Sequence, residues 1–82
     1  MSMLPEDNPY EVYLIDLLRA INREVPMDEE DRMLVLLELN SETKIMQFRD
    51  WVESRMDGDN LKATAPEITR AATRICKGEQ PQ

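Results

Sequence analysis

The sequence predicts an all-α protein, a small bundle of about four helices at roughly residues 9–25, 28–40, 42–57 and 66–77. Apolar residues recur at three- and four-residue spacing through most of the 82 residues. Residues that cap helix amino termini precede these segments, and Pro26, Gly58 and Gly78 follow three of them. We expect one helical domain over residues 8–78, with flexible tails at 1–7 and 79–82.

The first helix is predicted to begin after Asn8, its N-cap residue, with Pro9 at the first helical position. Pro26 ends it, because the residue before a proline is pushed out of helical dihedral angles. Its apolar stripe consists of Tyr10, Leu14, Leu17, Leu18, Ile21 and Val25. Such a stripe predicts one buried face.

The second helix is predicted to start at the N-cap residue Asp28, and three further acids occupy its first turn, where the helix dipole favours negative charge. Its apolar residues surround the whole helical wheel, so we expect burial on several faces. They are Met33, Leu34, Val35, Leu36, Leu37 and Leu39. A buried strand over 33–39 is the alternative interpretation, but Leu and Met favour helix and no pairing strand is evident.

Ser41 is the predicted N-cap residue of the third helix, whose stripe is Ile45, Phe48, Val52 and Met56, with Trp51 at its edge. The Asn40–Ser41 join contains neither Gly nor Pro, so the second and third helices either separate there or continue as one kinked helix over 28–56. Gly58 is predicted to end the helix in a left-handed conformation, followed by a polar loop over 57–65.

The fourth helix is predicted to be capped by Thr64 or Ala65 and to end at Gly78. Its inward face consists of Ile68, Ala71, Ala72 and Ile75. The two alanines allow a neighbouring helix to approach closely.

The side chains needed for several kinds of catalytic site are missing. The chain has no His and a single Cys, Cys76, which excludes His-based triads, His-bearing zinc sites and internal disulfides. Asp57 to Asn60 resemble the start of a calcium loop, but Lys62 stands at the sixth position, where Gly is required, and Ile68 at the twelfth, where Glu is required. We therefore predict no enzyme activity, no metal and no cofactor.

No run of residues approaches the ~18 apolar positions of a membrane span, and the first residues lack the pattern of a secretory signal. A lone thiol is typical of a reducing compartment. We expect a cytoplasmic protein with no membrane partner.

The net charge of −7 comes from the first third of the chain, since residues 1–31 contain nine acids and two bases and the remainder is balanced. This charge disfavours nucleic acid and favours a partner protein with a basic surface. Four acids without an evident capping role are predicted to form an acidic surface about 24 Å long. The candidate partner-binding residues are Glu6, Asp7, Asp16, Glu24, Asp28, Glu29, Glu30, Asp31 and the edge aromatic Trp51.

The leading hypothesis is a non-enzymatic binding protein that covers a site on another protein. Its size and charge are those expected of an inhibitor of a nucleic-acid-handling enzyme encoded by a phage or mobile element, as anti-CRISPR proteins are. One alternative is a nucleic-acid-binding regulator that uses a basic face of the fourth helix: Lys62, Arg70, Arg74 and Lys77. The other alternative is a structural homodimer sealed by the second helix, since a chain of this size buries only a small core.

Overall fold

Four helices make up most of the chain in the computed structural model, which describes residues 9–81. They are α1 (Pro9–Glu24), α2 (Glu29–Glu38), α3 (Glu42–Ser54) and α4 (Ala65–Cys76). Between α3 and α4 lie two short strands, β1 (Met56–Asp57) and β2 (Asn60–Leu61). The predicted bundle of about four helices is confirmed. The predicted N-cap Asn8, the tail 1–7 and the last residue lie outside the described residues.

One apolar core joins all four helices. α4 packs against α2 and α3, while α1 contacts α2, α3 and β2. The inward residues predicted for α1 and α4 are confirmed, with Leu14, Leu18 and Ile21 buried on α1 and Ile68, Ala71, Ala72 and Ile75 on α4. Within the described residues, no helix is long and apolar enough to cross a bilayer.

The prediction that α2 is buried on several faces is wrong. Val35 is fully buried, but Met33, Leu34 and Leu37 are 51%, 42% and 70% exposed. The physical reason is that α2 has only ten residues and contacts α1 on one side and α4 on the other. Nothing in the described chain lies on its outer side, so an apolar surface remains in contact with water.

α2 and α3 are separate helices rather than one kinked helix. Leu39 follows α2 with a non-helical ψ of 71° and places its side chain in the core, where it is 2% exposed. The predicted N-cap of α3 is confirmed, because the Ser41 side chain accepts a hydrogen bond from the Lys44 amide at 3.3 Å. Burial of Leu39 therefore breaks the helix without Gly or Pro.

The predicted role of Gly58 as a helix C-cap is wrong, and the predicted polar loop contains a β-hairpin. α3 ends at Ser54, and Gly58 with Asp59 forms a two-residue turn between the antiparallel pair Asp57 and Asn60. Gly58 has φ +64°, which the turns favoured in such hairpins need at this position. The hairpin places Leu61 against the core, so burial of one side chain accompanies the turn.

The turn between α1 and α2 is held by side chains rather than by the predicted cap. Asp28 occupies the N-cap position of α2 but makes no side-chain capping hydrogen bond. Instead, Asn22 Oδ1 accepts a hydrogen bond from the Met27 amide at 2.8 Å, and Arg32 Nη1 donates to the Met27 carbonyl at 2.7 Å. Met27 itself is buried, so these contacts fix how α2 folds back on α1.

α4 begins and ends as its sequence predicts. Thr64 and Glu67 form a capping box, with the Thr64 amide donating to Glu67 Oε1 at 2.8 Å and the Glu67 amide donating to Thr64 Oγ1 at 3.3 Å. Gly78 has φ +82° after the helix, and the Glu79 amide donates to the Arg74 carbonyl at 2.8 Å. Both ends of α4 are thus satisfied locally.

Candidate functional site

Two of the four acids predicted to form one surface along α1, Asp16 and Glu24, lie within the described residues. Glu6 and Asp7 lie outside the described residues. Asp16 and Glu24 are eight residues apart, which on a helix of 3.6 residues per turn separates their directions by about 80°. Asp16 lies on the exposed side of α1, 3.9 Å from Arg19, while Glu24 borders a hollow beside α3. The described pair therefore meets different neighbours, and the 24 Å acidic surface stays a prediction.

A different group of acids lies at one end of the α1–α2 hairpin. Glu24 ends α1, and Asp28, Glu29, Glu30 and Asp31 begin α2 only a few residues later. The connecting segment 25–28 spans at most about 14 Å, so these five predicted residues share one end of the molecule.

An apolar hollow of about 340 Å³ lies beside this end, between α1, α3 and the β-hairpin; we call it the α1–α3 hollow. Its floor includes the buried side chains of Ile21, Val52 and Leu61. The exposed carboxylates of Glu24, Glu53 and Asp59 stand at its rim, together with Arg23. An apolar floor with an acidic rim suits a long basic side chain, whose stem is apolar and whose end is charged.

Sequence reasoning missed Glu53 and Asp59 as members of a site. Glu53 follows Val52 on α3, and Asp59 lies in the hairpin turn. Both reach α1 only through tertiary packing, across more than 25 positions of sequence. The one local signal was Gly58-Asp59, a dipeptide typical of hairpin turns, which indicates the hairpin but not what it faces.

A second candidate surface is the apolar side of α1 and α2 that the fold leaves uncovered. It consists of Ile15, Met33, Leu36 and Leu37, and we call it the α1–α2 face. Two hollows meet in its middle, and both are lined by Ile15 and Leu36. Exposed apolar groups that lie together on a folded protein mark interaction sites more often than scattered ones do.

Of the residues predicted for nucleic-acid binding, Arg70, Arg74 and Lys77 lie on or just after α4, on the side that faces away from the core. Arg70 and Lys77 are exposed and Arg74 is half-buried, while Lys62 is exposed at the end of the hairpin. The capping residue Glu67 is also exposed on this helix. The basic side chains therefore share the outer side of α4 with the Glu67 carboxylate.

Trp51 lies in the core, with only 5% of its surface exposed. Its ring stacks on Phe48 at a centroid distance of 6.2 Å, and the Arg55 guanidinium lies 5.3 Å from the indole centroid. Core packing leaves little of the ring for a partner, so its predicted role as an edge anchor gains no support from its position.

Among residues 9–81, three titrating groups have a shifted pKa, and structural contacts account for each. The hydrogen bond to Glu42 raises the pKa of Tyr10. The hydrogen bond to Asp50 raises the pKa of Arg49. Hydrogen bonds from the Thr64 backbone and side chain lower the pKa of Glu67.

Metal binding also finds no support in the part of the chain that the structure describes. Among residues 9–81, no three Cys, Asp or Glu side chains lie close enough together to hold a metal ion. The three rim carboxylates of the α1–α3 hollow are not such a group.

Comparison with known protein families, with curated proteins and with solved structures finds no match to this chain. Function is therefore inferred from the α1–α3 hollow and the α1–α2 face.

Proposed function

We propose that this protein is a small acidic binding module that acts through protein–protein contacts, in the cytoplasm and without catalysing a reaction. It docks a basic amphipathic segment of another protein in the α1–α3 hollow. The observation that carries the proposal is the combination of an apolar floor with the carboxylates of Glu24, Glu53 and Asp59 at its rim. A partner of this chemistry is the kind of basic surface that nucleic-acid-handling enzymes use to bind phosphate, and occupation of that surface would inhibit such an enzyme.

The energetics favour a partner with both charge and apolar surface. Each exposed charge pair alone contributes about 0 to 1 kcal/mol, so the acidic rim cannot hold a partner by itself. Burial of apolar side chains over Ile21, Val52 and Leu61 adds about 25 cal/mol per Å². The rim then steers association, and the floor slows dissociation.

Two synthetic peptides test this proposal. One is an 18-residue helical peptide with lysine on one face and leucine on the other. The second has the same composition in a scrambled order without an apolar face. We expect the amphipathic peptide to bind more tightly in titration calorimetry, and to shift the NMR signals of residues around Ile21, Val52 and Leu61.

Two variants of equal charge change assign the binding to the hollow. Glu53→Lys with Asp59→Lys should weaken binding of the amphipathic peptide by about tenfold, which is about 1.4 kcal/mol. Asp16→Lys with Asp50→Lys, placed outside the hollow, should change it by less than about twofold. Equal binding of both peptides, or equal loss in both variants, would overturn the proposal in favour of unspecific charge attraction.

A second candidate function is self-association, and the uncovered apolar residues of α2 favour it. Leu37, at 70% exposure, and Met33, at 51%, keep most or half of their apolar surface in water in the fold of a single chain. A core of this size supplies only about 3 to 5 kcal/mol, so burial against a second copy would add materially to stability. A mass that rises with concentration in light scattering supports this candidate, and a monomer at about 100 µM contradicts it.

A further inference from the structure

The α1–α2 face has charged residues at its ends as well as apolar residues at its centre. On α1, Glu11, Ile15 and Arg19 follow at four-residue steps and line the side turned towards α2. At 1.5 Å per residue, the two charged residues lie about 6 Å on either side of Ile15 along the helix. This row is therefore negative at one end, apolar in the middle and positive at the other end.

Charged residues also lie on the α2 side of the face. Glu29 and Arg32 line the same hollow as Arg19, and the Arg32 guanidinium is turned to the Met27 carbonyl, to which Nη1 donates at 2.7 Å. At the other end, Lys44 Nζ donates a hydrogen bond to Asn40 Oδ1 at 3.2 Å, and Asn40 lines the same hollow as Glu11. Glu29 near Arg19 and Lys44 near Glu11 thus carry charges opposite to those of the α1 row.

A surface with this pattern is complementary to a copy of itself. Consider a twofold axis that lies in the plane of the face, runs perpendicular to the helices and passes over Ile15. Rotation about this axis places each helix antiparallel to the same helix of a second copy. Glu11 then faces Arg19 of the second copy, and Arg19 faces the second copy's Glu11. In a twofold interface every such contact occurs twice, so the attraction and any repulsion are both doubled.

The apolar residues distinguish this axis from one that runs parallel to the helices. Met33 and Leu37, which are 51% and 70% exposed, both belong to α2. The axis across the helices sets α2 against α2, which brings Met33 close to Leu37 of the second copy. The parallel axis would instead set α2 on the α1 row, where Ile15 stands between two charged residues. The first arrangement removes more apolar surface from water.

We propose that a second copy of this chain binds the α1–α2 face, with α1 and α2 each antiparallel to its own counterpart and with Glu11–Arg19 pairs on both sides of Ile15. This inference rests on the proposed self-association and adds its geometry. It is independent of the basic partner, whose α1–α3 hollow lies on the other side of α1.

Charge reversal on the 82-residue chain tests the geometry. Glu11→Arg creates two Arg–Arg contacts across the interface, and Arg19→Glu creates two Glu–Glu contacts, so each single variant should weaken self-association by about tenfold or more. An equimolar mixture of the two variants should form a heterodimer, because both contacts are then attractive. The double variant Glu11→Arg with Arg19→Glu should dimerise again.

Sedimentation velocity and native mass spectrometry measure these outcomes, and circular dichroism confirms that each variant is folded. Leu37→Glu should be monomeric, since it places a charge in the centre of the interface. Arg70→Glu, on the outer side of α4, is the matched control and should dimerise like the unmodified chain.

Two results would overturn the inference, and they differ in what else they remove. A chain that stays monomeric at about 100 µM removes self-association as well and leaves the face to a different protein. A chain that dimerises, but whose two single variants fail to pair with each other, removes only the proposed geometry. In both cases, binding of the amphipathic peptide to the α1–α3 hollow is unaffected.

Discussion

Substitution by alanine at two residues of α2, only two positions apart, is expected to change the stability of the protein by very different amounts. Val35 is fully buried between α1 and α4, while Leu37 is 70% exposed. We predict that Val35→Ala strongly destabilises the protein. Leu37→Ala should leave the free energy of unfolding of the monomer within about 0.5 kcal/mol of its original value.

The magnitude for Val35→Ala follows from the burial of its side chain. The substitution removes two methyl groups from a site with 0% exposure, at about 0.8 kcal/mol each for the transfer from water. The remaining cavity adds about 1 kcal/mol, and the better helix propensity of alanine offsets about 0.5 kcal/mol. The net loss is about 2 kcal/mol, which lowers the melting temperature of a domain this size by about 8 to 16 °C.

Urea denaturation at about 5 µM protein, followed by circular dichroism, measures this difference under conditions that limit self-association. At about 100 µM the Leu37→Ala variant should lose the concentration-dependent stabilisation that the unmodified chain shows. If both variants lost the same stability at low concentration, Leu37 would have to be buried within the monomer, and the described orientation of α2 would be wrong.

Three further predictions concern the hairpin and α4. Gly58→Ala should cost about 1 kcal/mol in urea denaturation, because φ +64° strains any residue with a Cβ, although no atom lies within 4 Å of the added group. Thr64→Ala should cost about 1 kcal/mol in urea denaturation through loss of the cap. Because the pKa of Glu67 in the folded state is lowered from the ordinary 4.5, the stability of the protein should also fall as the pH drops below 4.5 and through that lowered pKa. Glu67→Gln should remove this part of the acid dependence in thermal melts across pH 3 to 6. Thr73→Val should cost about 1 kcal/mol in thermal melts, since Thr73 Oγ1 lies 2.9 Å from Glu38 Oε1 and joins α4 to α2; an unchanged melting temperature would contradict that role.

The parts of the fold that sequence reasoning predicted are those set by local contacts. Thr64, Glu67 and Gly78 act within a few residues of α4, and the positions of Ile68 and Ala72 follow from helical spacing alone. Local rules therefore sufficed for the number of helices and for most of their boundaries.

The predictions that were wrong or incomplete concern features that depend on tertiary contacts. Helical spacing showed that α2 is apolar all round, but not whether its outer side is covered within one chain, and Leu37 is exposed. Gly58 supplies a positive φ that serves a helix end or a hairpin turn equally well. The rim residues Glu53 and Asp59 meet Glu24 only because α3 and the hairpin fold back on α1, which no local pattern records.

The position of α4 has a consequence for the order in which the chain acquires its structure. This helix contributes four buried residues and packs against both α2 and α3, yet it comes after every other element along the chain. During synthesis from the amino terminus, the apolar sides of α2 and α3 emerge first and stay uncovered until α4 follows. A chain released near Ala65 would leave Val35, Leu39 and Phe48 without the cover that α4 gives to α2 and α3, so it should aggregate and be digested more readily than a chain that includes α4.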